Sequence, residues 1–143
     1  MCRYQTTPPA VLPDHLKATL RHRPDRIILG ETRGGEASDL LQLLNSRHSG
    51  TISTLHANSA LLGISRFASC VMQSGVEIPY LATKTNIADS LNVIVQIERR
   101  PGIRFVSRVL QIRGFDIESE TYQFESVYSR KDRVRVKLCR IQE

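Results

Sequence analysis

Apolar positions in the first part of the chain fall into short continuous runs and into runs with helical spacing. Residues 27–29 are a continuous apolar run bounded by turn residues, which predicts a strand buried on both faces. One apolar helix face is then predicted from four positions, Ala37, Leu40, Leu41 and Leu44. Residues 51–55 predict the next strand. The 30 residues from position 26 to position 55 have the length of a right-handed strand–helix–strand crossover, so the two strands are predicted to be parallel.

Further helices are predicted on either side of this unit. A short helix is predicted after Asp14, which is a suitable N-cap. A second helix is predicted over residues 59–73, with Gly75 as its C-cap. Its apolar face consists of Ile64, Phe67, Ala68 and Val71. Pro79 suits the first turn of a third helix, which continues to Ser90.

The pattern changes after residue 90 to β-rich segments that partly alternate. These segments are residues 92–98, 103–112, 121–128 and 134–141. The Arg-Pro-Gly turn at residues 100–102 predicts that the first two form a hairpin. The predicted fold class is therefore α/β with parallel strands and crossover helices, followed by an antiparallel β extension. We interpret residues 1–90 and 91–143 as two parts of one domain.

Composition narrows the class of protein without identifying it. Among the 143 residues, 41% are hydrophobic and 24% are charged, close to the averages for soluble globular domains. The sequence contains no run of 18 apolar residues and does not begin with a secretory signal. Cys2, Cys70 and Cys139 lie far apart, which fits free thiols in a reducing compartment and does not fit a zinc site. We therefore expect a cytoplasmic protein.

The net charge of +6 is unevenly distributed. Residues 130–140 contain six basic residues and one acid. Such a segment suits nucleic acid or an anionic membrane surface, but it also suits the solvated face of a strand. Arg133, Arg135 and Lys137 alternate with apolar residues, which fits either interpretation. Direct binding of nucleic acid is the less favoured of the two.

Two polar clusters follow directly after the two predicted parallel strands. The first is residues 30–35 (GETRGG) and the second is residues 56–59 (HANS). Ligands of open α/β sheets bind outside the carboxyl ends of the strands, so we expect Glu31, Arg33 and His56 on one edge of the sheet. A carboxylate, a guanidinium and an imidazole together suit a polyanion, a metal-bound water and a proton acceptor. The residues alone thus indicate a candidate anion or nucleotide site.

Structural interpretations of the same residues stay open at this point. Glu31 fits a solvated loop residue, and His56 fits a structural histidine at a strand end. The guanidinium of Arg33 has possible partners in the nearby Glu36 and Asp39.

Two longer segments carry a resemblance to a known family. Residues 20–37 (LRHRPDRIILGETRGGEA) resemble the segment of type II/IV secretion ATPases that contains their modified Walker B motif. Residues 50–60 (GTISTLHANSA) resemble the His box of the same family, in the same order and at about the same separation. The clear resemblance covers residues 14–75, and a weaker one continues over residues 79–112. Within the family, the likeness is greatest to conjugal-transfer ATPases of the TrbB kind.

The resemblance implies a RecA-like P-loop NTPase fold, with ATP and Mg²⁺ as cofactors. It implies that Glu31 orients or activates the attacking water and helps to hold Mg²⁺ through water. It also implies that His56 approaches the γ-phosphate and reports its presence. Arg21, Arg23 and Arg33 match arginines of the family pattern, either for charge stabilisation at the phosphates or for contacts across a subunit boundary.

The family's assembly follows from the same resemblance. It implies a homohexameric ring at the cytoplasmic face of the inner membrane, working with inner-membrane components of a secretion or conjugation apparatus.

One departure from the family pattern affects the expected activity. The 143 residues contain no G-x-x-x-x-G-K-[ST] segment, and none of the four lysines, Lys17, Lys84, Lys131 and Lys137, follows a glycine-rich loop. We therefore expect the C-terminal half of a motor ATPase, which does not bind ATP usefully alone and exposes an aggregation-prone sheet edge. The alternatives are a non-catalytic ring-interaction module and, less favoured, a basic nucleic-acid-binding protein.

Overall fold

The computed structural model describes residue 22 and residues 24–45 and 50–130. Within this part of the chain the helices and strands are β1 (Ile28–Leu29), α1 (Glu36–Leu44), β2 (Ile52–Ser53), α2 (Ala60–Met72), α3 (Tyr80–Ser90), β3 (Val93–Arg100), β4 (Ile103–Asp116) and β5 (Thr121–Ser129). The predicted helix after Asp14, the predicted strand at 134–141 and the basic residues Arg133, Arg135 and Lys137 lie outside the described residues.

The first two strands form a parallel pair, as predicted. Ile28 pairs with Ile52, and Leu29 pairs with Ser53. The strands are shorter than the segments that predicted them, with two residues each. The prediction that residues 27–29 are buried on both faces is wrong, because Ile28 is 49% exposed and its partner Ile52 is 54% exposed. Only the opposite face, with Ile27, packs on the apolar core.

The helices lie where their apolar spacing predicted. Three of the four positions predicted for α1 are buried, together with Leu43, while Leu44 packs at the margin. Ser59 caps α2, because its Oγ accepts a hydrogen bond from the backbone N–H of Leu62 at 3.2 Å. The predicted C-cap at Gly75 is wrong: Gln73 is the C-cap, and Gly75 follows two residues later with φ +74°.

The helix α3 begins directly after Pro79, as predicted. None of the helices in the described part of the chain combines the length and the apolar character needed to cross a membrane.

The remaining strands form an antiparallel sheet in the order β3–β4–β5. The hairpin predicted at residues 100–102 is confirmed, with Arg100 paired to Ile103. The strand β4 continues to Asp116, beyond the predicted end at Ile112. A register shift lies between Gln96 and Ile97, and two more lie between β4 and β5.

One apolar cluster joins the helices to the antiparallel sheet. Ile87 of α3 and Val71 of α2 are almost fully buried in it, together with Ile112 of β4. Leu29 of β1 and Ile94 of β3 pack against its margin. The parallel pair and the antiparallel sheet therefore rest on a shared core, which fixes the strand ends that carry the polar clusters.

Candidate active site

Glu31, Arg33 and His56 lie together at the carboxyl ends of the two parallel strands. Glu31 Oε1 is 3.0 Å from His56 Nε2, and Glu31 Oε2 accepts a hydrogen bond from Arg33 Nη2 at 2.6 Å. This follows from the register, because Leu29 pairs with Ser53 and the next residues of both strands leave the sheet at the same edge. The predicted arrangement of the three side chains on one edge is confirmed.

Short hydrogen-bonded links hold the two strand ends against each other. Thr32 is buried, and its backbone N–H donates to the carbonyl oxygen of Thr54 at 2.9 Å. Its hydroxyl is 2.9 Å from the hydroxyl of Ser53. The Thr54 hydroxyl donates in turn to the carbonyl oxygen of Gly30. The backbone on both sides of Glu31 is therefore hydrogen-bonded to Thr54, the residue that follows β2.

The carboxylate of Glu36 organises the loop between β1 and α1. It accepts hydrogen bonds from the backbone N–H groups of Arg33 at 2.6 Å and of Gly34 at 3.0 Å. Burial alone would raise the pKa of Glu36, but these hydrogen bonds outweigh burial and lower it. The guanidinium of Arg33 does not pair with Glu36 or Asp39. It pairs with Glu31, because the Glu36 carboxylate is engaged by backbone amides.

The surroundings of Glu31 keep its carboxylate ionised. The hydrogen bond from Arg33 is the largest influence on the Glu31 pKa and lowers it; desolvation acts in the opposite direction. The charges of Arg33, His56 and Arg66 lower the pKa further. The side chain of Glu31 is only 24% exposed, whereas those of Arg33 and His56 are 77% and 87% exposed. The carboxylate is thus held in place, and the side chains of its two partners face solvent.

Two residues of this region were missed by the sequence analysis. Arg66 of α2 lines a cavity of about 450 Å³ together with His56 and Leu62. The thiol of Cys70, one turn further along the helix, donates to the carbonyl oxygen of Arg33 at 3.5 Å. Burial raises the pKa of Cys70, so the thiol remains a protonated donor. The sequence offered one indication of Arg66: it lies two turns after Ser59, on the helix that is predicted to begin there.

Arg21 and Arg23, the other two predicted arginines, lie outside the described residues.

A family model matches the segment of the chain that contains this site. The model described as "Type II/IV secretion system protein" matches residues 9–124, which is most of the chain. The chain belongs to this family. The predicted family is confirmed, and the match includes both strands, the three site residues and the first part of the antiparallel sheet.

Individual secretion-family proteins agree with this assignment. The conjugal transfer protein TrbB of Rhizobium radiobacter is 36% identical over 110 residues, which cover 77% of this chain and 32% of TrbB. The type IV secretion system protein PtlH of Bordetella pertussis is 41% identical over 99 residues, which cover 68% of this chain and 29% of PtlH. The chain thus spans about a third of the length of these relatives.

A solved secretion-family structure supports the fold. It is the VirB11 ATPase of the Brucella suis type IV secretion system in complex with sulphate. The TM-score is 0.64 at 34% identity, and the match covers 69% of this chain and 31% of the VirB11 chain. The predicted RecA-like α/β fold class, with parallel strands followed by antiparallel strands, is confirmed.

The arrangement of these side chains suits an anion. Arg33, His56 and Arg66 place cationic or hydrogen-bonding groups around one ionised carboxylate. Within the described residues no group of three or more His, Cys, Asp or Glu side chains is arranged to hold a metal ion. Magnesium in phosphoryl-transfer sites keeps several waters and needs only one or two carboxylates besides the substrate phosphates. Glu31 fits one such outer ligand.

Proposed function

We propose that this chain supplies the water-activating and phosphate-sensing edge of a secretion or conjugation motor ATPase. The observation that carries the proposal is the bridging position of Glu31, whose two carboxylate oxygens contact His56 and Arg33 at adjacent parallel strand ends. Phosphoryl transfer depends mainly on positioning and on opposing charge, and these three groups provide both. The membership of the secretion family supports the same reaction class.

Each residue has a distinct role in the proposal. Glu31 orients the attacking water and accepts its proton, because it is the ionised carboxylate of the edge. His56 approaches the γ-phosphate and senses its presence. Arg33 exchanges its contact with Glu31 for a phosphate oxygen, which its high exposure permits. That exchange releases one carboxylate oxygen toward the water.

The cofactor in this proposal is ATP with Mg²⁺. When bound, MgATP would supply the phosphoryl group and the metal would offset negative charge on the phosphates. Glu31 would help to hold the metal through water. Arg21 and Arg23 are assigned to the phosphates or to a neighbouring subunit in the ring.

The isolated 143-residue chain is not competent for this reaction in our proposal. Backbone amides, a lysine and a hydroxyl of the G-x-x-x-x-G-K-[ST] loop normally hold the phosphates and the metal, and the 143 residues contain no such segment. A polypeptide segment that carries this loop, such as an N-terminal half, therefore completes the site, and the completed subunits form a hexameric ring. The assembly works at the cytoplasmic face of the inner membrane with other components of the apparatus.

The second candidate is a ring-interaction module without catalysis. It is favoured by the same lack of a phosphate-binding loop in the 143 residues. The two candidates differ in whether Glu31 affects ATP turnover once a complete phosphate-binding loop is present.

A chimera tests this difference. The matched segment of Rhizobium radiobacter TrbB is replaced by this chain, and ATP hydrolysis is measured with and without Glu31→Gln. We expect turnover by the chimera and a loss of about 100-fold or more with Glu31→Gln, because a general base contributes roughly 10²–10⁴-fold. Glu118→Gln, in the exposed β4–β5 turn, is the matched control and should leave turnover unchanged.

Two outcomes count against the proposal. If the chimera folds and hydrolyses ATP equally well with Glu31→Gln, the ring-interaction candidate replaces the catalytic role. If calorimetric titration of the isolated chain with MgATP shows micromolar binding and turnover, the requirement for a further segment is wrong.

A further inference from the structure

A second polar concavity lies away from the Glu31 cluster. It is a groove of about 390 Å³ between the N-terminus of α2 and the face of the antiparallel sheet that turns toward the helices. Glu31, Arg33 and His56 do not line it. Its basic and aromatic lining consists of Arg100, Arg108, Arg130 and Phe105. Ligand pockets are roughly 300–1,000 Å³, so the groove has room for a group the size of a nucleotide.

The alternation of strand residues builds this groove. Gln96, Glu98 and Arg100 are two residues apart on β3 and therefore share one face of the sheet. The register shift after Gln96 leaves Ser107 outside the pairing, so that both Ser107 and Arg108 line the groove. Such bulges re-aim side chains, and they are frequent beside functional sites.

The aromatic ring of Phe105 positions two of the guanidinium groups. Arg130 Cζ lies 3.8 Å from the ring centroid, and Arg100 Cζ lies 5.3 Å from it. A guanidinium over an aromatic ring is held by the ring quadrupole, so both groups have a preferred plane. The backbone N–H of Arg130 also donates to the carbonyl oxygen of Ser107 at 2.9 Å. The cations are therefore oriented before any ligand arrives.

The positive charge of this hairpin is not neutralised within the described residues. Arg100, Arg108 and Arg130 form no ion pair there, whereas Arg113 on the same sheet pairs with Glu125. Glu98 is the acidic residue that lines the groove. A ligand with several negative charges would offset the positive charge that remains.

We propose that the groove binds single-stranded nucleic acid. Backbone phosphates contact the guanidinium groups of Arg100, Arg108 and Arg130, and one base stacks on the Phe105–arginine stack. Single-stranded nucleic acids bind at positively charged grooves that also present aromatic and arginine planes. The concave shape of the groove disfavours binding to a flat bilayer surface. Aspartate and glutamate side chains of an acidic peptide have no ring that would stack on Phe105 and the arginines.

Arg130 belongs to the basic segment at residues 130–140 and also lines this groove. The alternation of residues 133–137 made nucleic-acid binding the less favoured interpretation of that segment, because it also fits the solvated face of a strand. The tertiary structure places Phe105 beside Arg130, which the linear sequence separates by 25 positions. The proposal does not depend on ATP hydrolysis.

Fluorescence anisotropy of the 143-residue chain with a labelled oligothymidylate of about 15 nucleotides tests the proposal. We expect log K to fall with log salt with a slope of about −2, since each of three phosphate contacts contributes about −0.7 on single strands. Arg100→Gln and Arg130→Gln should each make the slope shallower by about 0.7. Phe105→Leu should weaken binding about fivefold or more, because it removes the aromatic plane. Arg113→Gln, which removes a paired arginine of the same sheet, should leave the affinity unchanged.

The proposal is overturned by no binding at low salt, or by binding that Arg100→Gln and Arg130→Gln leave unchanged. It is also overturned if polyglutamate, or vesicles of phosphatidylglycerol, compete as well as the oligonucleotide does. Thermal unfolding checks that each variant is folded. If Phe105→Leu is unfolded, the two arginine variants decide the result.

Discussion

At the scale of single residues, the candidate active site is organised by charge more than by packing. The side chains of Arg33 and His56, which contact Glu31, are largely exposed, and exposed contacts of this kind contribute little to stability. Their effect is on the ionisation of Glu31, which a water-activating carboxylate requires.

Replacing Arg33 should therefore change the pKa of Glu31. We expect Arg33→Gln to raise this pKa toward its ordinary value, because the hydrogen bond from Arg33 is the largest influence that lowers it. Arg33→Lys, which keeps the charge but loses the planar guanidinium, should raise it less. Carboxyl ¹³C NMR titration measures the pKa directly. An unchanged Glu31 pKa in Arg33→Gln would contradict the described contact.

The dependence of stability on pH follows with a definite sign. The pKa of Glu31 is lowered in the folded state. Its charge therefore stabilises the fold fully above the unfolded pKa, and this contribution is lost as pH falls through the folded pKa. In urea unfolding, the free energies of unfolding of wild type and Arg33→Gln should differ at pH values above the unfolded pKa of Glu31. They should converge at pH values below its folded pKa.

The pKa of Tyr122 is raised, whereas that of Glu31 is lowered. Its hydroxyl is buried and is without a hydrogen-bond partner among the described residues, and burial raises its pKa to about 12. Tyr122→Phe should raise the free energy of unfolding by about 1 kcal/mol, since it removes an unsatisfied polar group and keeps the ring. Wild-type stability should fall as pH rises from 10.0 toward about 12, and the variant should lack this fall. Chemical unfolding at several pH values tests both, with Tyr128→Phe as the control.

At the scale of secondary structure, the cap of α2 connects the core to both polar sites. Ser59 Oγ accepts from Leu62 N–H, and Ser59 follows His56 by three residues. Ser59→Ala should lower the free energy of unfolding by about 1 kcal/mol, whereas Ser59→Asp should retain the cap. Ser65→Ala, an exposed change within the same helix, should have almost no effect. Urea unfolding compares the three, and equal loss in Ser59→Ala and Ser65→Ala would exclude a specific cap.

The sequence predicted helices better than strands in this chain. Ile64, Phe67 and Val71 repeat at helical spacing, so their common burial follows from geometry. The apolar run around Ile28 did not reveal which face is covered, because burial of a strand depends on what packs on it. The strand β4 continued to Asp116 because cross-strand pairing with β5 extends it, which is a tertiary effect.

At the scale of the whole molecule, the candidate active site was predictable because local signals and topology agreed. Glu31 and His56 each follow a predicted strand, and parallel pairing brings any two such positions to one edge. The partner of Arg33 was not predictable, because it depends on Glu36 being engaged by the loop backbone. The Phe105 groove was also not predictable from the sequence. It depends on a register shift between β3 and β4, and on the end of β5 lying beside the β3–β4 turn.

The parallel pair β1–β2 exposes apolar side chains on one face. Ile28 and Ile52 are register partners, and both are about half exposed, so they form an apolar surface that the described residues leave uncovered. Contiguous apolar surfaces of this kind promote association.

The double variant Ile28→Thr/Ile52→Thr should reduce self-association in sedimentation velocity and keep the fold, since threonine also favours strands. Ile87→Ala, in the buried core, should instead lower the free energy of unfolding by about 2–5 kcal/mol. Unchanged association in a folded double variant would mean that this surface is not where copies of the chain meet, and that the exposed valines and Ile97 of β3 are the next surface to test.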